Sequence, residues 1–81
     1  ATILAPGTHH LPKMPGRKLS LLAYSPEVRD VTLTGAKWTL TRATLTYRYP
    51  PGCSNEFTAD MAEVTFREGL LMVCFSADKN P

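Results

Sequence analysis

Alternating hydrophobic and polar positions predict strands in the first half of the chain. Residues 17–24 and 28–34 both alternate with a period of two, which is typical of strands with one face toward a core. Ser25-Pro26-Glu27 lies between the two segments and has the residue types of a turn. Gly35 ends the second segment. We therefore expect two strands joined by a short turn.

Residues 37–49 carry the strongest strand signal, because threonine, a β-branched residue, recurs throughout them. The hydrophobic phase slips by one residue inside this segment. Trp38 and Leu40 are even-numbered, whereas Leu45 is odd-numbered. A slip of one residue turns every following side chain to the opposite face of a strand. The sequence therefore predicts a bulge or a sharp bend near residues 42–44.

The second half of the chain is less uniform. In residues 54–62, Ser54 can cap a short helix that brings Phe57 and Met61 to one face. Phe57 can equally begin another strand, and we favour the helix.

Residues 62–66 and 70–75 are expected to form the last hairpin, with its loop at 67–69. The final segment is hydrophobic on both faces, which predicts a central strand covered on both sides.

Proline and glycine recur in residues 1–16 and bias the backbone away from regular pairing. We expect an irregular N-terminal arm there, in which residues 2–4 can pair as a short edge. The predicted organisation is this arm, a single β domain over 17–76 and a C-terminal tail over 77–81.

Length and composition agree with one small globular domain. The chain has 81 residues, of which 43% are hydrophobic and 20% charged. We predict an all-β fold with at most one short helix, a small antiparallel meander, curled sheet or barrel of about five strands. No uncharged apolar segment approaches the roughly 20 residues of a transmembrane helix, so no membrane partner is expected.

The usual sequence patterns of catalysis and metal binding are missing. No glycine-rich phosphate loop and no nucleophile elbow occur. His9 and His10 are adjacent, so in a strand they point to opposite faces, and no cysteine or carboxylate lies at ligand spacing near them. We expect a non-enzymatic module without catalytic residues, metal or cofactor, and keep a small hydrolase as a remote alternative.

The two cysteines leave an alternative open. Cys53 and Cys74 can form a disulfide only if the chain folds back between residues 53 and 62, since an extended strand would hold them too far apart. Otherwise both are free, with the thiol buried at position 74 and exposed at 53. The compartment stays open, the cytoplasm being slightly favoured over a processed secreted protein.

Charge is distributed unevenly. The net charge is +2, yet residues 1–52 carry +5 and residues 53–81 carry −3. Basic and aromatic residues interleave in the first part, and such residues neutralise phosphates and stack on bases. The sequence favours a nucleic-acid-binding face. Its predicted contacts are Arg17, Lys18, Arg29, Lys37, Arg42, Tyr47, Arg48 and Tyr49, with Trp38 among the interleaved aromatic residues.

Arginine and aromatic residues are also typical of protein interfaces. The alternative function is therefore a protein-interaction module, such as an inhibitor or phage-type regulator, that docks through a sheet edge or its basic face. A homodimer is slightly favoured, because a domain of this size buries little core on its own.

Two stretches of the sequence resemble SymE-type toxins. Residues 17–21 with Tyr24, and residues 31–35 with Trp38, are similar to the opening of those proteins, and residues 63–73 are similar to their last hairpin. SymE-type toxins are similar to AbrB-like DNA-binding domains, which form interlaced β dimers. The resemblance implies a dimeric protein linked to nucleic acid and assigns no functional residue.

Overall fold

A computed structural model describes residues 2–46 and 52–77, with the backbone alone at 52–54 and 77. This part of the chain contains strands and no helix, so none of it is a helix that could cross a membrane. The predicted all-β class is confirmed. The strands are β1 (Thr2–Leu4), β2 (Gly7–Pro12), β3 (Arg17–Ala23), β4 (Glu27–Thr34), β5 (Leu40–Thr46), β6 (Gly52–Asn55), β7 (Met61–Phe66) and β8 (Leu71–Ala77).

The strands form two antiparallel sheets of four strands each. The first sheet has the order β1-β8-β3-β6 and the second has the order β2-β7-β4-β5. Among the described strands, β4 and β5 follow one another in the sequence and are hydrogen-bonded neighbours, whereas every other consecutive pair is divided between the two sheets. The connectivity is therefore not a meander. The short connections are corners between two layers, which explains how a small chain supplies two sheets.

The expected hairpin over residues 62–75 is wrong in its pairing. β7 lies between β2 and β4 in the second sheet, and β8 lies between β1 and β3 in the first. Gly69, at φ 96°, belongs to the corner that carries the chain from one sheet to the other. The prediction that the last strand is central is correct, because β8 has a hydrogen-bonded strand on each side. The predicted cover on both faces is wrong, because Leu71 and Val73 are buried whereas Met72 and Cys74 on the other face are only half-buried.

The inner faces of both sheets contribute to one hydrophobic core. Leu19, Leu21 and Ala23 point inward from β3, and Val31 and Leu33 point inward from β4, as the period-two pattern predicts. Since each sheet buries only one face against the other, the alternation of the sequence fixes which side chains meet. The other buried members are Leu11, Val28, Ala36, Leu45, Ala62, Val64, Phe66, Leu71 and Val73.

The predicted irregularity in β5 is confirmed as a bulge. Val31 pairs with Ala43, and two residues later Leu33 pairs with Leu40, so β5 has one extra residue between the two pairs. Arg42 lies in this interval with a left-handed φ of 48°. The extra residue restores Leu45 to the buried face, which is what the slip in hydrophobic phase required.

A second irregularity in β4 compensates for the first. Val28 pairs with Leu45 and Val31 with Ala43, so here β4 has the extra residue. Asp30 lies in this interval with a left-handed φ of 56°, a conformation that aspartate tolerates better than most residues. The two bulges together keep the β4–β5 register while increasing the twist of the sheet.

The N-terminal segment is more regular than expected. Thr2–Leu4 pairs with β8, as predicted for a short edge. Gly7–Pro12 pairs along its whole length with β7, so the prediction of irregular structure is wrong there. Pro12 is compatible with this strand because β2 is at the edge of its sheet and the proline is its last residue. The domain boundaries after residues 16 and 76 stay a prediction.

The expected helix over residues 54–62 is also absent. Asn55 ends β6, Phe57 forms an isolated bridge with Ala36, and Met61 begins β7. The i, i+4 spacing of Phe57 and Met61 is therefore coincidental. The segment instead crosses from the first sheet to the second.

Cys74 is a free, half-buried thiol. It lies in β8, and Cys53 lies in β6, on the opposite side of β3. Strands separated by a third are about 10 Å apart, beyond the roughly 7 Å between bridged Cα atoms. The free-thiol alternative therefore holds for Cys74, although this thiol is half-buried rather than buried as predicted. The predicted exposure of the Cys53 side chain lies outside the described residues.

Gly35 is a position where the close approach of the β4–β5 connection to β7, within the second sheet, leaves no room for a side chain. Its φ is 78°, and a Cβ there would be 2.5 Å from the carbonyl oxygen of Met61 and 2.9 Å from Cα of Ala62. We expect Gly35→Ala to lower the free energy of unfolding by about 3 kcal/mol, from the left-handed conformation and the overpacking together.

Gly16→Ala is the matched control, because Gly16 has a similar φ of 73° with no atom within 4 Å of the added Cβ. Its expected loss is about 1 kcal/mol, from conformation alone. Urea unfolding of both variants measures the difference. Equal losses would contradict the close approach of Gly35 to β7.

Candidate functional site

Among the residues that the structure describes, Asn55 is the one polar residue that is buried, with 1% of its surface exposed. The register explains its burial. Asn55 pairs with Leu19, which pairs on its other side with Phe75, so the three lie in one row across the first sheet. Side chains in such a row point to the same face, and Leu19 is in the core. Asn55 therefore points inward and needs hydrogen-bond partners there.

Those partners are backbone groups of two neighbouring segments. Oδ1 of Asn55 accepts hydrogen bonds from the backbone N–H of Trp38 at 3.0 Å and from that of Glu56 at 2.9 Å. Nδ2 of Asn55 donates to the carbonyl oxygen of Trp38 at 2.6 Å. One amide group thus satisfies both backbone groups of Trp38, and it ties the β4–β5 connection to the end of β6.

Backbone hydrogen bonds extend this attachment on both sides. The N–H of Lys37 donates to the carbonyl oxygen of Glu56 at 2.8 Å, and the N–H of Thr58 donates to that of Gly35 at 3.0 Å. Ala36, which is buried, forms its bridge with Phe57 between these bonds. Residues 35–38 and 55–58 are therefore joined continuously, and the position of the Trp38 backbone is fixed by both sheets.

Two phenylalanines pack close to the same crossing. The rings of Phe57 and Phe75 stack with centroids 6.2 Å apart and an interplanar angle of 9°. Both are half-buried and pack against the core. This contact anchors the crossing segment to the row that contains Asn55.

The indole of Trp38 remains 51% exposed, although its backbone is fixed. Nζ of Lys37 lies 4.8 Å from the centre of the indole and 3.5 Å from Oε2 of Glu56. We call Lys37, Trp38, Asn55 and Glu56 the Trp38 site. It presents a flat aromatic surface beside a carboxylate and an ammonium group. Such a surface can stack on a heteroaromatic ring and pair with its charge.

Of the predicted binding residues that the structure describes, Lys37 belongs to the Trp38 site, and the others are divided between the two sheets. Arg17 and Lys18 begin β3 in the first sheet, whereas Arg29 and Arg42 belong to β4 and β5 in the second. Three of the predicted contacts, Tyr47, Arg48 and Tyr49, lie outside the described residues.

Arg29 is paired with carboxylates of its own domain. Its Nη2 and Nε lie 2.8 and 2.9 Å from Oε1 of Glu27, and Nε is 3.9 Å from Oε2 of Glu68. The hydrogen bond from Arg29 to Glu27 and the negative charges of Glu27 and Glu68 raise the pKa of the Arg29 guanidinium. A cation in this arrangement is already neutralised, so it contributes little to a basic face.

The two histidines have separate surroundings. Nε2 of His9 is 2.7 Å from the carbonyl oxygen of Ala5, and the ring stacks on Phe66. Nε2 of His10 is 3.0 Å from Oε1 of Glu63. In residues 2–46 and 52–77, no group of three or more histidine, cysteine or carboxylate side chains is arranged to hold a metal ion.

Sequence reasoning missed Asn55 and Glu56. Asparagine is disfavoured in strands, and it follows a proline- and glycine-rich stretch, so it had the character of a loop or a helix start. Its importance comes from its row partner Leu19 and from Trp38, both distant in sequence. The one signal in the sequence that could have indicated this site was the polar Asn55 two residues before the aromatic Phe57.

Comparison with known proteins identifies the family. The family model for the vitamin B1 binding domain of thiamin pyrophosphokinase matches residues 8–71. The chain belongs to this family. The matched region includes all of the Trp38 site. A separate comparison with curated protein sequences gives no significant match.

Solved structures of the same kind agree with the family. Thiamine pyrophosphokinase from Bacillus subtilis is 27% identical with a TM-score of 0.88, and covers 95% of this chain and 36% of its own. The Geobacillus thermodenitrificans enzyme is 29% identical with a TM-score of 0.84, and the match covers 98% of this chain and 37% of that enzyme. A family protein from Enterococcus faecalis is 34% identical with a TM-score of 0.80 and covers 95% and 36%. The chain therefore spans about a third of the length of these relatives.

The vitamin B1 binding family corrects several predictions. The SymE resemblance is wrong, because it depended on short alternating segments that many β proteins share, and the match to thiamin pyrophosphokinases covers most of the chain. Nucleic acid as the ligand and the protein-interaction module are wrong for the same reason.

The prediction of a non-enzymatic module is wrong as well, since the solved relatives are pyrophosphokinases. The remote hydrolase alternative does not match that activity either. Catalytic motifs did not indicate this family, because such motifs mark the residues that perform chemistry, whereas the matched domain is a vitamin B1 binding domain.

The hydrogen bonds of Asn55 are expected to dominate local stability. Asn55→Ala leaves the N–H and C=O of Trp38 without their partners in a buried setting, and we expect a loss of about 2 to 4 kcal/mol in the free energy of unfolding. The control is Thr8→Ala, which removes an exposed hydroxyl hydrogen bond with Thr65 and should lose less than about 1 kcal/mol. Chemical denaturation compares the two, and a loss for Asn55→Ala as small as the control would contradict this role.

Proposed function

We propose that this chain is a thiamin-binding domain and that a ring of thiamin lies on the indole of Trp38. The observation that carries the proposal is the hydrogen bonding of the Asn55 amide to both backbone groups of Trp38. The backbone of a loop that carries a half-exposed tryptophan is normally free to move, and the ring moves with it. Here a buried side chain fixes the backbone and leaves the ring available, which is the arrangement that a preorganised binding surface needs.

The chemistry of thiamin suits the residues of this site. Thiamin joins an aminopyrimidine ring to a positively charged thiazolium ring. The face of an indole attracts cations and stacks on flat heteroaromatic rings. The carboxylate of Glu56 is 44% exposed at its side chain, so it is accessible to a positive charge or to an amino group of a ligand on the ring. The site can therefore recognise both the shape and the charge of thiamin.

The role of the chain in catalysis is part of this proposal. The solved relatives are thiamin pyrophosphokinases of which this chain spans about a third. The family description assigns vitamin B1 binding to the corresponding region. We therefore assign to this domain the holding of thiamin, and to another part of such a kinase the phosphate donor and the transfer step.

Trp38 variants test the proposal directly. Since stacking on an aromatic side chain contributes about 1 to 3 kcal/mol per ring, Trp38→Ala should weaken thiamin binding by about 5- to 100-fold. Trp38→Phe should retain part of the affinity, because a smaller ring still stacks. Calorimetric titration with thiamin measures the affinities, and circular dichroism checks the fold.

Tyr24→Ala is the matched control for the loss of an exposed aromatic side chain. Tyr24 is 56% exposed. It follows the last residue of β3, whereas Asn55 pairs near the first residues of that strand. Its removal should leave the affinity for thiamin unchanged. Wild-type affinity in Trp38→Ala, or an equal loss in Tyr24→Ala, would overturn the proposed site.

A further inference from the structure

The Trp38 site already contains a cation of its own. Nζ of Lys37 is 4.8 Å from the centre of the indole, within the distance of a cation–π interaction. The same ammonium group is 3.5 Å from the carboxylate of Glu56. Lys37 thus makes, from within the chain, the two interactions that a positively charged ring would make on this surface.

The parts of this arrangement differ in how firmly they are held. The backbone of Trp38 is fixed by Asn55, and the backbones of Lys37 and Glu56 are joined by a hydrogen bond of 2.8 Å. The ammonium group, in contrast, stands on a flexible four-carbon stem and is 57% exposed at its side chain. Exposed cation–π and ion-pair contacts are weak. The lysine can therefore leave the ring without disturbing the rest of the site.

We propose that Lys37 and Glu56 determine the charge selectivity of the Trp38 site. A cationic heteroaromatic ligand displaces the ammonium group of Lys37 from the indole, and the carboxylate of Glu56 then pairs with the ligand's positive charge. Lys37 is an internal competitor for cations, and Glu56 is the group that favours them. This inference rests on the proposed function, since it concerns how the same surface distinguishes a thiazolium ring from a neutral one.

The two residues should act in opposite directions on cationic ligands. Lys37→Met removes the competing cation and keeps the length of the side chain, so binding of a cation should tighten by about 2- to 5-fold. Glu56→Gln removes the negative charge and keeps the shape, so binding of a cation should weaken by about 2- to 5-fold. Glu56→Gln should leave the binding of a neutral ring of similar shape unchanged. Lys37→Met should tighten the binding of a neutral ring less than that of a cation, because a neutral ring also displaces the ammonium group from the indole but is not repelled by it.

The single tryptophan of the chain makes the experiment specific. Quenching of Trp38 fluorescence reports on binding at the indole itself. The probes are thiamin, N-methylthiazolium and thiazole, of which the last two differ mainly in charge. Arg67→Met is the matched control for the loss of one positive charge. Met61, at the start of β7, lies against Gly35, whereas Arg67 follows the other end of this strand, away from the Trp38 site.

Each outcome decides a separate question. Tighter binding of thiamin and N-methylthiazolium by Lys37→Met, weaker binding by Glu56→Gln, and a smaller change for thiazole in each variant support the inference, provided that Arg67→Met resembles the wild type. If the wild type binds thiamin but both variants shift the cation and the neutral ring equally, the charge selectivity is overturned and the proposed function stands. If thiamin binds neither the wild type nor the variants, the proposed function fails, and the inference fails with it.

Discussion

The hydrogen bonds between the Asn55 amide and the Trp38 backbone are the interaction on which the rest of the site depends. A buried amide without partners would destabilise a domain of this size severely. The surrounding backbone satisfies it, and the polar group then specifies a single geometry where the two sheets meet. The same bonds fix a tryptophan whose ring stays exposed. Stability and the proposed recognition of thiamin are therefore connected through one side chain.

The architecture explains why the amide is available at that point. Strand β6 adds to the free edge of β3, and its register puts Asn55 beside Leu19 on the inner face. The chain then crosses to the second sheet, where Gly35 allows the β4–β5 connection to approach β7 closely. The bulges in β4 and β5 maintain the buried face of the second sheet up to this connection. Each feature is local, but together they bring two distant segments into contact.

Much of the strand pattern could be predicted from the sequence, and little of the site could. Period-two alternation identified the inner faces of β3 and β4, and the phase slip located the bulge at Arg42. Alternation does not specify which strands pair, so the last two strands were joined in a hairpin although they lie in different sheets. Lys37 was predicted as a binding residue from its charge, with the wrong ligand. Asn55 was missed because its burial arises only from the tertiary arrangement.

An NMR titration of the ¹⁵N-labelled chain with thiamin tests the Trp38 site most directly, since the signals of the Trp38 indole and the Asn55 side-chain amide can be followed separately. The largest, saturable shifts should occur at the indole N–H of Trp38 and at the backbone amides of Lys37 and Glu56. The Asn55 amide should keep its hydrogen-bonded signals throughout. Saturable shifts centred on another face of the molecule, with the Trp38 signals unchanged, would contradict the proposed site.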